Sequence, residues 1–392
     1  MKILKKIFKF LGILVLLLVV AFFVFTAFPK YKYLRKAVYY NLADIDDYKI
    51  FDNRKIKAGQ HQPWAKAKDF NKKTPSKASL QKIESYQTVA FLVLQNSAIK
   101  YERYWDNYSD SSWSNSFSMA KSVISLLIGA AIDEGKIKSI DQKVGDFLPQ
   151  FKEKGLNNRL TIRHLLSMSS GLNWDENYAG PTSMTTIAYY GKDLEKLMKE
   201  MKVVNTPGKK NMYQSGNTQV LAFILEKATG KTIADYASEK LWQPLGAKHD
   251  ALWSLDKENG HEKAYCCFNS NARDFARLGQ LILQNGRWQG RQVISEKYIK
   301  EATAPATNLV AEGGPESKKE TNNYYGHQFW ILKHKGHTIP YFRGILGQYI
   351  FIIPKKEAVV VRLGHKRDTQ YGDYHAPKDI YAYLDAALEV LE

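Results

Sequence analysis

The chain has 392 residues, enough for one large two-lobed domain or two ordinary ones, and its content of 44% hydrophobic and 24% charged residues is typical of globular proteins. This composition excludes a chain that is mainly disordered. The net charge of +18 is compatible with nucleic-acid binding, but the sequence contains no motif for it, and we expect no nucleic-acid partner.

The first 28 residues predict a membrane anchor. Four lysines precede residues 10–28, a run of 19 residues without a charged side chain, which as a helix would span roughly 28 Å. A cleaved signal peptide is the alternative, but the run ends in bulky residues rather than in a small-x-small cleavage site. We therefore expect an uncleaved transmembrane helix that attaches the protein to a membrane.

The charges around this segment do not decide its orientation. The four lysines before the span are balanced by four cations after it, namely Lys30, Lys32, Arg35 and Lys36. We place the rest of the chain outside the cytoplasm, on the periplasmic side of a bacterial inner membrane, because an N-terminal anchor serves little other purpose. The first 36 residues supply +8 of the net charge, which favours anionic membranes or substrates but is also found on ordinary solvated surfaces.

Beyond the anchor, residues 29–78 predict a connector with some ordered structure, and residues 79–392 predict one domain. Two strands, 88–94 and 99–105, are expected as a hairpin, followed by an apolar helix from Met119 to Glu134. Further helices are expected at 161–166, 219–229, 233–241 and 272–284, then strands at 326–332, 338–342, 348–353 and 358–363, and a last helix at 378–391. This order predicts an α+β fold, an antiparallel sheet built from both ends of the domain with a mostly helical lobe inserted at about 125–255.

The two cysteines, Cys266 and Cys267, are adjacent in the sequence. A disulfide framework is thereby excluded. Because neighbouring cysteines can close only a strained ring, we expect buried packing of the two thiols rather than a bond between them.

A Ser-x-x-Lys pattern is the first candidate for catalysis. On a helix, a spacing of three residues brings both side chains to one face, where the lysine can take the serine proton. The pattern occurs at four serines, Ser79, Ser97, Ser118 and Ser254, but only Ser118 opens a buried apolar helix. That helix would carry Lys121 into desolvated surroundings that lower its pKa. The structural alternative is a helix-capping serine beside a lysine that reaches solvent.

The sequence Ser116-Phe117-Ser118-Met119-Ala120-Lys121-Ser122 resembles the first motif of the class C β-lactamase-like serine hydrolases, within the β-lactamase/penicillin-binding superfamily. This group includes class C β-lactamases, D,D-peptidases, esterases and 6-aminohexanoate-dimer hydrolases. Further similarities follow in the same order at 160–172, 207–215, 244–246 and 272–279, and the last is similar to the 6-aminohexanoate-dimer hydrolase subgroup. The likeness extends from about Thr88 to the C-terminus.

This resemblance implies a β-lactamase/transpeptidase-like fold and catalytic roles for three residues. Ser118 would be the nucleophile, and Lys121 and Tyr213 would share the proton transfer. An ammonium beside Tyr213 is expected to lower the pKa of its phenol. Ser215 stands where larger members have Asn, and it is a candidate substrate-binding residue that can reach a substrate amide or Lys121.

The third motif departs from the family pattern. Relatives carry Lys-Thr-Gly or His-x-Gly on a strand beside the site, whereas this chain has Phe342-Arg343-Gly344. Gly344 aligns with the motif's glycine, so the backbone amides of Ser118 and Ile345 would form the oxyanion hole. Gly344 and Arg343 are candidate substrate-binding residues. Arg343 either brings positive charge to the site or points away, because neighbouring strand residues face opposite sides.

The sequence therefore predicts a serine hydrolase that cleaves an amide or ester bond of a small molecule through an acyl-enzyme, without a metal or cofactor. A D,D-carboxypeptidase or β-lactamase acting on peptidoglycan-type substrates is one alternative. A catalytically silent, membrane-tethered binding protein on the same fold is another. The altered third motif favours small esters or linear amides over β-lactams.

Overall fold

The computed structural model describes residues 1–312 and 320–392. The N-terminal helix is long and apolar enough to cross a membrane, and its side chains are almost entirely exposed. The helices of the described chain are α1 Lys2–Phe25, α2 Tyr33–Tyr40, α3 Lys77–Glu84, α4 Met119–Asp133, α5 Ile162–Leu166, α6 Met184–Tyr190, α7 Leu194–Lys199, α8 Ser215–Thr229, α9 Ile233–Ala237, α10 Ala272–Leu283, α11 Glu296–Ala302 and α12 Asp379–Leu391.

The strands form one large sheet, one small sheet and a short hairpin. Their bounds are β1 Asn53–Ile56, β2 Ala65–Lys66, β3 Thr88–Gln95, β4 Ala98–Tyr104, β5 Ser114–Asn115, β6 Ala251–Ser254, β7 Phe268–Ser270, β8 Arg287–Trp288, β9 Arg291–Gln292, β10 Trp330–His334, β11 His337–Gly344, β12 Gln348–Ile353 and β13 Ala358–Gly364. The large sheet has the order β10-β11-β12-β13-β3-β4-β2. Adjacent strands in it are antiparallel, except that β2 and β4 are parallel.

The central strands of the large sheet are buried on both faces. Helices α3 and α12 pack together on one face, where α12 contacts β3 and β13, and α10 packs against β12 and β13 on the other. This double burial explains why β12 and β13 read as continuous apolar runs rather than as alternating ones. Helix α4 lies between this sheet and the helical lobe, in contact with β11 and α8, which explains its apolar character on nearly every side.

The α+β fold predicted from the sequence is confirmed. Strand β10 begins at Trp330, whereas the sequence predicts a strand from residue 326. The chain makes an irregular turn before Trp330, with Gln328 at a φ of 66°. Helix α8 begins one turn earlier than expected, at Ser215. The small sheet, in the order β1-β6-β7-β5, was not predicted, because strands of two to four residues carry little periodic signal.

Residues 29–78 contribute to the folded core. Strand β1 pairs with β6 in the small sheet, and β2 pairs with β4 at the edge of the large one. Ile45 and Ile56 are completely buried. The segment between the anchor and the hydrolase domain is therefore packed against that domain over much of its length.

The expectation that Cys266 and Cys267 remain unbonded is wrong. Their sulfur atoms are joined, with an S–S distance of 2.12 Å, and both residues are buried. The chain accommodates the ring with Cys267 in the left-handed backbone region, at a φ of 67°. This backbone conformation, which the sequence alone does not indicate, allows the two adjacent cysteines to close the ring.

Candidate active site

Ser118 stands at a sharp turn between the small sheet and helix α4. Phe117, directly before it, has a φ of 44°, an uncommon conformation for a bulky residue. The turn is held by buried polar contacts, since the Phe117 N–H donates to Asn115 Oδ1 at 2.9 Å and the Ser116 N–H donates to the Phe268 carbonyl at 2.8 Å. Ser118 then serves as the N-cap residue of α4. Strained backbone held in this way is common at catalytic residues.

Lys121 lies one turn into α4 and is only 1% exposed. Its Nζ atom is 3.0 Å from Ser118 Oγ and donates to the Tyr265 carbonyl at 2.9 Å. Burial lowers the pKa of Lys121 from 10.5 to about 8, against the opposing effect of the Glu176 charge. A lysine that reaches solvent is therefore excluded, and this amine can be neutral in a substantial fraction of molecules near neutral pH.

Tyr213 is half-buried beside Lys121. Its ring lies 5.0 Å from Lys121 Nζ and packs against Tyr325 and Trp330. Burial raises the pKa of Tyr213 well above its usual value, and the nearby Ser118 side chain only partly opposes this. The expectation of a lowered phenol pKa is wrong, because desolvation outweighs the nearby charges. Tyr213 is a neutral hydrogen-bonding group at neutral pH.

Ser215 is buried at the first position of α8, but its hydroxyl is not directed toward Lys121. It donates to Glu176 Oε1 at 2.7 Å, and the Ser215 N–H donates to Glu176 Oε2 at 2.6 Å. Glu176 also accepts hydrogen bonds from Trp174 Nε1 and from the Tyr178 hydroxyl. A carboxylate at a helix N-terminus is favoured by the unpaired backbone amides there.

Glu176 is a site residue that the sequence analysis missed. Its charge acts on both Lys121 and Tyr213, and in each case it raises the pKa. A second carboxylate, Glu312, accepts the Tyr213 N–H at 3.3 Å, and burial raises its pKa. The side of the site around Tyr213 is therefore lined by two acidic groups.

Gly344 ends β11 against the loop that carries the nucleophile. A Cβ atom at this position would lie 2.2 Å from the Ser116 carbonyl oxygen, so only glycine permits the approach. The amide of Ile345 follows directly in the chain, so the close approach of Gly344 brings it beside the loop that carries Ser118. The structure thus brings together Ser118, Gly344 and Ile345, which are far apart in the sequence.

The turn after Gly344 is held from inside the protein. Leu346 and Gly347 have φ angles of 60° and 86°, and their carbonyls accept hydrogen bonds from Arg362 Nη1 at 2.8 and 2.7 Å. Arg362 is completely buried, and it also donates to Thr88 Oγ1 and to the Tyr86 carbonyl. A buried guanidinium with this many acceptors gives the turn a fixed conformation.

Arg343 does not point away from the site. Its guanidinium carbon lies 3.1 Å from the centroid of the Trp330 ring, which packs against Tyr213, and Nη1 donates to the His375 carbonyl at 2.6 Å. Its charge partly opposes the burial effect on the pKa of Tyr213. Arg343 is therefore a stacked cation at the edge of the site rather than a group placed against Ser118.

Within residues 1–312 and 320–392, no group of three or more His, Cys, Asp or Glu side chains has a geometry that could hold a metal ion. The described residues offer a serine in hydrogen-bond contact with a buried amine, and a tyrosine ring lies beside that amine. The model of the beta-lactamase family matches residues 78–383 of the chain.

The chain belongs to the beta-lactamase family. As a member of this family, it is a serine hydrolase that acts on amide or ester bonds. The 6-aminohexanoate-dimer hydrolase of Paenarthrobacter ureafaciens is 27% identical over 324 residues, which cover 78% of this chain and 81% of that protein.

Two solved structures show the same fold as this beta-lactamase family chain. A Bacillus anthracis protein assigned as a 6-aminohexanoate-dimer hydrolase superposes with a TM-score of 0.69 at 21% identity, over 88% of this chain and 92% of that one. A family VIII carboxylesterase superposes with a TM-score of 0.61 at 18% identity, over 84% of this chain and 99% of that one. At these identities the likeness concerns the fold alone, and the residue roles depend on the geometry described above.

Proposed function

We propose that the protein hydrolyses an ester or a linear amide through an acyl-enzyme on Ser118. The observation that carries this proposal is the contact between Ser118 Oγ and the buried amine of Lys121, at 3.0 Å, with the pKa of that lysine lowered to about 8. At neutral pH a pKa near 8 leaves roughly a tenth of the molecules with a neutral amine that can act as a base. Tyr213, kept neutral by burial, donates and accepts hydrogen bonds but does not supply the base.

In the first step, Ser118 Oγ bonds to the carbonyl carbon and its proton passes to Lys121 Nζ. The carbonyl electron pair moves onto oxygen, where the amides of Ser118 and Ile345 donate hydrogen bonds to the resulting anion. The C–N or C–O bond then breaks as the carbonyl re-forms, and the leaving group takes the proton from Lys121 through the Tyr213 hydroxyl. Water repeats the sequence against the acyl-enzyme and releases the acid.

Small esters and linear amides fit this site better than β-lactams. Relatives that recognise β-lactams use Lys-Thr or His-x to bind a substrate carboxylate, and here Arg343 is stacked on Trp330 and bonded to a backbone carbonyl. Glu176 and Glu312 also lie near Tyr213, and their negative charge disfavours an anionic substrate. A missing partner for a desolvated carboxylate costs about 1.5–3 kcal/mol, or roughly ten- to a hundredfold in rate.

A peptidoglycan-type activity, as a D,D-carboxypeptidase or β-lactamase, is the second candidate. The position of Arg343 favours it, because its charge acts on the Tyr213 side of the site and a change of rotamer would free the guanidinium for a carboxylate. Under this candidate, nitrocefin turnover would rival ester turnover, and Arg343→Ala would abolish it. Under the first candidate, nitrocefin turnover is feeble and Arg343→Ala changes ester turnover little.

We also propose that α1 remains attached as a membrane anchor, with the catalytic domain outside the cytoplasm. Thr26, at the end of α1, is completely buried, and Arg35 donates to its hydroxyl at 2.8 Å and to the Phe23 carbonyl at 3.0 Å. Cleavage after residue 28 would remove these contacts. The disulfide between Cys266 and Cys267 supports the compartment, because disulfides persist mainly outside the reducing cytoplasm.

A covalent probe tests the proposed nucleophile. Full-length protein in detergent micelles is treated with a fluorophosphonate, and peptide mass spectrometry identifies the labelled serine. We expect labelling of Ser118, together with hydrolysis of p-nitrophenyl butyrate, and loss of both in Ser118→Ala. Ser79→Ala is the matched control, because Ser79 occupies another Ser-x-x-Lys pattern and should leave both unchanged. Labelling that persists in Ser118→Ala refutes the assignment, and a protein that neither labels nor turns over an ester is the silent binding protein.

A further inference from the structure

The segment after the anchor exposes apolar side chains that a water-soluble surface would not present. In α2, Tyr33 and Leu34 are buried in a cluster with Tyr190 of α6. Elsewhere in the same segment, Phe28, Val38, Tyr39 and Leu42 are 60%, 63%, 81% and 77% exposed, and we call these four residues the juxtamembrane patch. Part of the apolar surface of the segment is thus covered by protein, and part of it is exposed.

The charges around this patch match an anionic lipid surface. Residues 30–36 contain four cations, and the first 43 residues contain no acidic side chain. Tyrosines and cations directly after a transmembrane helix are typical of the headgroup region, where aromatic rings lie at the interface and cations bind anionic lipids. The patch is also continuous with α1, which brings it to the membrane surface.

The catalytic domain is attached to this segment without a flexible linker. Arg35 of α2 is bonded to Thr26 and Phe23, and Phe22 of α1 packs against the cluster that contains Tyr33 and Leu34. These contacts connect the end of α1 to α2, and α2 to α6 of the catalytic domain. The orientation of the domain relative to the anchor is therefore set by packing.

Two contacts connect the segment after α1 to chain that adjoins the active site. The Tyr33 hydroxyl donates to the Pro181 carbonyl at 3.1 Å, and Pro181 is three residues from Tyr178, which bonds to Glu176 in the site. The Asn115 N–H also donates to the Ile45 carbonyl at 2.7 Å. Asn115 lies three residues before Ser118, and Ile45 lies three residues after Leu42. Because three residues of chain span at most about 11 Å, Ser118 lies within about 27 Å of Leu42.

Exposed apolar side chains also lie around the active site. Beyond residue 42, the large hydrophobic side chains exposed in the described part of the chain are Tyr178, Val204, Met212 and Tyr371. Tyr178 bonds to Glu176, Met212 precedes Tyr213, and the Tyr371 ring lies 5.9 Å from the Arg343 guanidinium. Three of these four residues thus lie beside groups of the active site, whereas Val204 lies elsewhere.

We propose that the juxtamembrane patch lies on an anionic lipid surface and holds the opening of the Ser118 site at that surface, so that the substrate is an ester or amide borne by the membrane. This inference rests on the proposed anchor and acyl-transfer chemistry. It adds a substrate class, namely amphiphiles whose scissile carbonyl lies near the headgroups.

A fluorescence experiment tests the surface. Full-length Leu42→Cys and Lys355→Cys proteins carry an environment-sensitive fluorophore in vesicles of phosphatidylglycerol and phosphatidylcholine that contain nitroxide-labelled lipids. Lys355 is the control. It follows the C-terminal end of β12, whereas Gly344 pairs with Gln348 at the N-terminal end, and the length of the strand separates the two ends by about 20 Å. We expect quenching more than about fivefold stronger at position 42 than at 355. Equal quenching at the two positions overturns the proposal.

A turnover experiment tests the substrate class. The full-length triple variant Val38→Ser, Tyr39→Ser, Leu42→Ser is compared with a control triple on the solvent-facing side of α11, Glu296→Ser, Lys297→Ser, Lys300→Ser. We expect the patch variant to hydrolyse a vesicle-borne long-chain p-nitrophenyl ester about tenfold more slowly, with soluble p-nitrophenyl butyrate unchanged within about twofold. Equal loss on both esters, or no loss on the vesicle-borne ester, overturns the substrate assignment. Strong quenching at position 42 in a protein that cleaves neither ester and is not labelled at Ser118 would instead overturn the proposed acyl transfer.

Discussion

Replacing Lys121 with methionine should stabilise the fold at neutral pH while abolishing activity. The side chain is 1% exposed, and burial lowers its pKa from 10.5 to about 8. Because a tenfold change in proton affinity is worth about 1.4 kcal/mol, keeping this amine protonated at pH 7 costs about 3 kcal/mol of folding free energy. Methionine fills a similar volume without the charge and therefore avoids this cost. The variant also loses the hydrogen bonds that Lys121 donates to Ser118 and to the Tyr265 carbonyl, and this loss offsets about 1–3 kcal/mol of the gain in folding free energy.

The sign of the pH dependence follows from proton binding. Between about pH 8 and 10.5 the unfolded chain binds more protons at this lysine than the folded chain, so the stability of the wild-type protein rises with pH in that window. The penalty falls to about 1 kcal/mol at pH 10. The unfolding free energy of Lys121→Met minus that of the wild type should therefore decrease by about 2 kcal/mol between pH 7 and pH 10.

Denaturant unfolding in detergent micelles, monitored by tryptophan fluorescence at the two pH values, measures this difference. Lys263→Met is the matched control, because Lys263 is also buried, donates to the Ala188 carbonyl and has its pKa lowered by burial to about 7. That variant should show a pH-dependent gain of the same sign and retain ester hydrolysis. A Lys121→Met difference that is the same at pH 7 and pH 10 would refute the argument that Lys121 titrates with a lowered pKa.

Three further outcomes follow from the site geometry. The rate of ester hydrolysis should rise as pH passes through about 8 and level off above it, since neutral Lys121 is the base; a flat profile from pH 6 to 10 contradicts that role. Gly344→Ala should lower kcat by roughly a hundredfold, because the added Cβ would lie 2.2 Å from the Ser116 carbonyl oxygen and displace the turn that follows. Circular dichroism should show that the fold is retained, and a near-normal kcat would show that this turn tolerates displacement. Glu176→Gln should lower the midpoint of the pH–rate profile, because the Glu176 carboxylate raises the pKa of Lys121. Asp175→Asn is the control, since Asp175 is exposed and its replacement should leave the midpoint unchanged. An unchanged midpoint in Glu176→Gln contradicts the electrostatic coupling.

The sequence was sufficient to predict the fold class, and it indicated Ser118 as the candidate nucleophile among four similar patterns. Both predictions depend on long apolar segments, the central strands and α4, whose burial follows from their composition. The pairing of Ser118 with Lys121 follows from helical spacing, which is a local property of the chain. Gly344 was predicted from its alignment with the glycine of the family's third motif.

Glu176 could not be found in this way. It lies in a polar loop, and it reaches Ser215 only through tertiary folding over a separation of 39 residues. The one local signal is the placement of Trp174 and Tyr178 two residues on either side, whose polar atoms both donate to it. The sign of the Tyr213 pKa change was also beyond reach, because it depends on how deeply the phenol is desolvated rather than on which charges are near in sequence.

The buried Arg362 makes the active site a late product of synthesis. Ser118 and Lys121 are translated and can form their helix early, but the turn that follows Gly344 is held by a guanidinium from β13, which bonds at the same time to the chain around Tyr86 and Thr88. A ribosome must therefore complete more than two hundred residues beyond Ser118, through residue 362, before Arg362 can hold the turn that follows Gly344. Under the proposed mechanism, the hydrolase remains inactive until that point of its synthesis.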